Sequence, residues 1–214
     1  MSSCSLWSGI IGAGVGAVVT TVLQTVIKII RIPKIEVLPE IKSIEGSFSP
    51  DKQPGAALRL GHETAHYYYL TAVNRAAVPA ENCFPYVYII TDQEKIRIPG
   101  LWLTPTFARV RSKLGAADFE QTIPPRTSVF FCCFAIVNHQ LMIYDMDSLT
   151  WQTLFKDGNM RFTLVAAVSS STAKCSNGVR LWLKFNQSEE QVEDITWERR
   201  RFKRVPPDEE VARL

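Results

Sequence analysis

Polar and apolar positions split the chain at Pro33 into two unlike parts. From Leu6 to Ile27, LWSGIIGAGVGAVVTTVLQTVI, no residue is charged. As a helix rising 1.5 Å per residue the run is roughly 33 Å long, against a bilayer core of about 30 Å. Pro33 ends any helix soon after it. No Lys or Arg precedes the run, and it is longer than the apolar core of a leader peptide, so a retained anchor is expected rather than a cleaved one. The pattern predicts an N-terminal transmembrane helix.

After Pro33 the pattern changes to short β-type runs. A first strand is expected within Ile35–Phe48, followed by a turn-rich stretch with Pro50, Pro54 and Gly55. AHYYYLTAVN (Ala65–Asn74) and YVYIIT (Tyr86–Thr91) are dense in strand formers, and KIRIPG is a short run closed by proline. SVFFCCFAIV (Ser128–Val137) is apolar throughout, as a strand buried on both faces is, and LMIYDM extends it as a hairpin with Asn138-His139-Gln140 at the turn. RFTLVAAVSSS (Arg161–Ser171) and VRLWLKFN (Val179–Asn186) follow. In the latter Val179, Leu181, Leu183 and Phe185 alternate with Arg180, Trp182 and Lys184, and Ser176-Asn177-Gly178 before it reads as a turn. No segment after Pro33 sustains a 3.6-residue period. About seven strands in such a chain indicate a mainly β, antiparallel sandwich or barrel. The longest irregular piece is Leu101–Arg126, with a short helix expected near Phe107–Leu114; it and the edge strands are the expected contact surfaces.

Composition changes little. The formal net charge of +3 is too small to argue for a nucleic-acid partner, and none is expected. The five cysteines include the neighbours Cys132 and Cys133 but no C-x-x-C pair, which fits free thiols in a reducing compartment better than a structural zinc site. Lys28, Arg31 and Lys34 follow the apolar run and nothing basic precedes it, which places the C-terminal side in the cytoplasm. Within the run, Gly12 and Gly16 on one stripe, and Gly9 and Ala13 on the next, form a small-residue face suited to helix packing and hence to a homo-oligomer or to assembly with other spans.

TAVNRAAVPAENC (Thr71–Cys83) resembles the strand–turn–strand of immunoglobulin-like domains in uncharacterised membrane-anchored proteins of bacteria and archaea, with Ala76 or Ala77 where glycine is common there. FEQTIPPRTSVFF and RFTLVAAVSSSTAKCSNGVRLWLKF resemble a core strand and the closing hairpin of the same proteins. The resemblance implies an immunoglobulin-like β-sandwich of about seven strands behind one N-terminal span. It gives no function, since fold alone does not. The expected layout is an anchor over 1–32, the sandwich over 33–204 and a charged tail over 205–214.

His62-Glu63-Thr64-Ala65-His66 spells H-E-x-x-H, the zinc-protease signature. That chemistry needs a helix, where both imidazoles face one metal and the glutamate addresses its water. Here Gly61 precedes the motif and YYYLTAV follows it. On a strand the two histidines would lie about 13 Å apart. An extended ligand set would need Gly and His where Tyr69 and Ala72 stand. No metal or other cofactor is expected, and a zinc hydrolase using His62, Glu63 and His66 is kept as the alternative. There is no G-x-S-x-G elbow. The basic cluster Arg199, Arg200, Arg201, Lys203 and Arg204 reads as a solvated edge strand running into a self-neutralising tail, with anionic lipid or phosphate as rival partners. The sequence thus predicts a non-enzymatic binding or scaffolding protein held in the cell membrane, its protein partner unknown. A further alternative is an accessory subunit of a membrane complex.

Overall fold

A computed structural model describes residues 20–22, 24, 32–50, 63–92, 94–103, 120–145, 148, 150–155, 159–172 and 176–202. Among these the chain is almost entirely β. The strands are β1 (Ile35–Val37), β2 (Lys42–Phe48), β3 (Glu63–Asn74), β4 (Ala80–Ile90), β5 (Lys95–Pro99), β6 (Leu101–Trp102), β7 (Gln121–Ile123), β8 (Ser128–Val137), β9 (Gln140–Asp145), β10 (Thr150–Phe155), β11 (Met160–Ser169), β12 (Ser176–Asn186) and β13 (Gln191–Phe202).

They form one hydrogen-bonded sheet in the order β10-β9-β8-β3-β1-β12-β11-β4-β5, with β2 on β3, β6 on β8, β7 on β4 and β13 on β12. The sheet curls into a half-barrel. This corrects the expected immunoglobulin-like sandwich. Two separate sheets need a break between them, and β1 closes it: Val37 to Ile35 pair antiparallel with Ala72 to Asn74 of β3, while Ile35 and Glu36 pair in parallel with Ser176 and Asn177 of β12. Ser176-Asn177-Gly178 is therefore strand, not turn. The count of about seven strands also falls short. Pro39 divides the first expected strand into β1 and β2, the short β6 and β7 have too few residues to show a period, and TWQTLF of β10 does not alternate apolar with polar.

The curl makes the core. Leu70 and Ala72 of β3, Phe131 and Phe134 of β8, Leu164 and Ala166 of β11, and Val179, Leu181, Leu183 and Phe185 of β12 all face the main interior. Phe134 meets Phe162 edge-on at 5.8 Å between ring centres, and the Tyr68 hydroxyl accepts the Val192 N–H at 3.1 Å, so β3 and β8 lie across from β11 and β13. β8 is buried on both faces. Tyr68 pairs with Phe134 and Tyr69 with Cys132, which leaves Cys133 as the extra residue of a bulge. Cys133 lies in the main core and Cys132 in a second cluster behind it, with Tyr67, Tyr144 and Trp151, and the bulge brings Phe134 to the main core beside Cys133.

Among the described residues no helix is long and apolar enough to cross a membrane. Of the expected span only Thr20, Thr21, Val22 and Gln24 are described, in helical conformation. Gly9, Gly12, Ala13, Gly16, Lys28 and Arg31 lie outside the described residues, as do His62, the expected helix near 107–114 and the tail at 205–214. The anchor, the single-pass membrane localisation with a cytoplasmic domain, and oligomerisation through that helix are withdrawn on this ground.

Candidate binding face

The H-E-x-x-H residues that are described do not converge. Glu63 opens β3 and is exposed, while His66 is half-buried between Glu45 of β2 and Ile136 of β8. Residues three apart on a strand point to opposite faces. Among the described residues no group of three His, Cys, Asp or Glu side chains could hold a metal. His139 stands apart, at the β8–β9 turn with φ 62°, its Nδ1 3.0 Å from Glu190 Oε1. The zinc-hydrolase alternative is withdrawn.

The basic cluster is divided. Arg199, Arg200 and Arg201 lie on β13, and Lys203 and Arg204 lie outside the described residues. Arg199 Nη2 is 2.9 Å from Glu36 Oε1, and Arg200 Nε is 2.6 Å from Glu198 Oε1. Acidic partners thus take up much of the charge that would serve a lipid or phosphate surface. Lys34 is exposed, and its carbonyl accepts the Arg75 N–H at 2.8 Å.

A concave site does form on the back of β4, β11, β12 and β13. Ile90 pairs with Thr163, Thr163 with Trp182 and Trp182 with Thr196, so these four side chains make one row across four strands. The next β12–β13 pair is Leu183 with Asp194, which leaves Ile195 without an opposite number. This bulge brings Ile195 to the groove beside Thr196, where Ile195 is 53% exposed. The groove has a volume of about 460 Å³ and also includes Asp92 and Arg161. Arg161 is exposed and makes no ion pair among the described residues; its cross-strand neighbour is Lys184, which is itself 3.4 Å from Glu193. Arg180 stacks over the Trp182 ring at 4.8 Å and reaches Glu198 at 3.6 Å, holding the indole on one side.

Sequence reasoning missed Arg161, Asp92 and Ile195. Trp182 carried a signal, as a large aromatic on the polar side of an alternating strand. Ile195 carried none, because a bulge decides where it points.

Buried thiols offer no nucleophile. Burial pushes the Cys83 thiol up to about 11, and burial likewise raises Cys132 and Cys133.

No family model matches the chain, and no curated protein matches it. It is similar to a crystal structure of a protein assigned as ApaA from Bordetella pertussis, with 7% identity, a TM-score of 0.26, and coverage of 82% of this chain and 98% of that one. It is also similar to the X-ray structure of the structural-genomics target SoR45, with 10% identity, a TM-score of 0.25, and coverage of 81% and 89%. Likenesses this remote carry no argument about this chain. The resemblance to membrane-anchored immunoglobulin-like proteins is corrected: no family model supports it, and one curled sheet stands where two were expected.

Proposed function

We propose that this β half-barrel is a non-enzymatic binding module whose ligand lies in the Trp182 groove. The ligand class is a small amphipathic molecule or side chain. Its apolar body rests on Trp182, Ile90 and Ile195, and an anionic group meets Arg161. One observation carries the reading: a directly paired row of side chains floors a groove of about 460 Å³, and at its side stands a guanidinium with no ion pair among the described residues. That size falls in the range of small-ligand sites, and the lining mixes apolar side chains with the polar Thr91, Asp92, Arg161, Thr163 and Thr196, as an amphipathic ligand requires. Asp92 in the same groove disfavours ligands with several negative charges.

The test is a fluorescence titration with anilinonaphthalene sulfonate, an aromatic anion, on the folded full-length protein. One saturable site is expected, with Trp182→Ala and Arg161→Ala each weakening it about tenfold, the loss of one charge-assisted contact or one stacking surface. Binding unchanged in both variants would exclude the groove.

A further inference from the structure

β13 pairs along its length with β12 and with no other strand among the described residues. Beyond Val192, whose N–H is taken by the Tyr68 hydroxyl, such an edge is a template for another strand. In its sequence, QVEDITWERRRF, Glu193 and Asp194 lie toward one end and Arg199, Arg200 and Arg201 toward the other, with Glu198 beside the arginines and bonded to Arg200. Between them Ile195 and Trp197 are 53% and 48% exposed.

The bulge at Ile195 sets the facing of the strand. Asp194, Trp197 and Arg199 oppose Leu183, Leu181 and Val179 and share their side of the sheet, while Glu193, Thr196, Glu198 and Arg200 share the side of Trp182. Asp194 and Trp197 thus point away from the groove.

We infer that β13 pairs antiparallel with β13 of a second copy of this chain, about a two-fold axis at Trp197. In a continuous sheet that axis is perpendicular to the sheet, so only side chains on the same face can stand opposite each other. With the bulge counted as one position, an axis at Trp197 sets Trp197 against its own copy. It also sets Asp194 against Arg199 and Glu193 against Arg200, and no like charges meet. An axis at Thr196 opposes Glu193 to Glu198, and an axis at Glu198, Arg199 or Asp194 opposes that residue to itself. Charges and a bulge along an edge discourage indiscriminate pairing; here they leave one register in the middle of the strand.

The surroundings of Asp194 and Arg199 fit this arrangement. Asp194 makes no ion pair among the described residues, and burial raises its pKa with nothing to offset it, so it lacks the cation that Arg199 of the second copy supplies. Arg199 gives Nη2 to Glu36 and keeps its other donors for that second carboxylate. The route is independent of any membrane helix and of the groove reading.

The test is sedimentation velocity on the full chain at micromolar concentration. A dimer is expected. Asp194→Arg and Arg199→Asp should each weaken it at least tenfold, and the double exchange should restore it, with circular dichroism melts confirming that each variant is folded. Under oxidising conditions Trp197→Cys should form a covalent dimer that Thr196→Cys does not, because only the residue on the axis meets itself at bridging distance. A wild-type monomer at these concentrations would overturn the proposal. So would singles that leave the dimer intact, a double exchange that fails to restore it, or equal cross-linking at both positions.

Discussion

Arg199 of β13 reaches Glu36 of β1, Nη2 to Oε1, at 2.9 Å. The other Glu36 oxygen takes Arg75 at 3.0 Å, so one carboxylate, 13% exposed, ties the outermost strand to the short strand that joins the two halves of the sheet. Both arginines are more than half exposed, and water competes for them. Glu36→Gln is therefore expected to cost about 1 kcal/mol, read as a lower urea midpoint at unchanged slope. The difference from wild type should shrink in molar salt, which screens the pairs. A loss that salt does not touch would mean packing, not charge, is what Glu36 supplies.

Asn74 predicts a larger loss. Fully buried at the end of β3, its Nδ2 donates to the carbonyls of Val78 at 2.7 Å, Ile123 at 3.1 Å and Pro124 at 3.3 Å, and its Oδ1 accepts the Ala76 N–H at 3.1 Å. One side chain thus fastens the β3–β4 turn to the segment after β7. Asn74→Ala strands several buried backbone groups at once and is expected to cost about 2–4 kcal/mol by chemical denaturation. Asn74→Asp sets a carboxylate oxygen against the same three carbonyl oxygens in a fully buried site and should cost at least as much as Asn74→Ala. A loss under about 1 kcal/mol would show that water replaces these bonds.

These two residues mark the limit of what the sequence disclosed. Val179, Leu181, Leu183 and Phe185 are buried as their alternation required, and the apolar run of β8 is buried on both faces. Period-two patterns report a strand and its inner face directly. They do not report which strands adjoin. β1 is three residues long, and its pairing to both β3 and β12, which makes one sheet of two, depends on partners more than a hundred residues apart in part. The groove was obscure for the same reason. Trp182 was visible as an anomaly, but its row exists only through the register of four strands and a bulge at Ile195. Asn74 lay inside a stretch singled out for its resemblance, yet its role rests on carbonyls about fifty positions away.

Gly100 gives a prediction of opposite character, a gain of one methyl group. A Cβ there would stand 2.7 Å from Pro85 Cβ and 2.8 Å from Phe131 Cδ2. The Pro85 ring is rigid, and Phe131 is a fully buried core side chain, so neither gives way cheaply. The Gly100 N–H also donates to the Pro85 carbonyl at 3.1 Å, which holds the backbone close. Gly100→Ala is expected to destabilise by about 1–3 kcal/mol, the usual range for overpacking. A thermal melt equal to wild type would mean that β5 and β6 shift freely against β4.

Alkaline pH should unfold the protein through its buried acids. Cys83 rises from 9.0 to about 11 through burial. Burial raises Cys132, Cys133, Tyr67 and Tyr68 as well. In each case the folded state holds its proton after the unfolded chain has released it. Above the ordinary thiol value the unfolded state then binds fewer protons, and stability falls as pH rises. The contribution of Cys83 is complete below pH 9.0 and is lost up to about 11. For a shift of this size the loss is on the order of 2 kcal/mol. Urea midpoints from pH 7 upward should stay level, then fall beyond about pH 9. Cys83→Ala should start lower, because it leaves a small cavity, and decline less steeply. Native Cys83, Cys132 and Cys133 should also resist a thiol reagent at neutral pH and react once the chain is unfolded. Equal slopes in wild type and Cys83→Ala would show that other groups govern the alkaline limit.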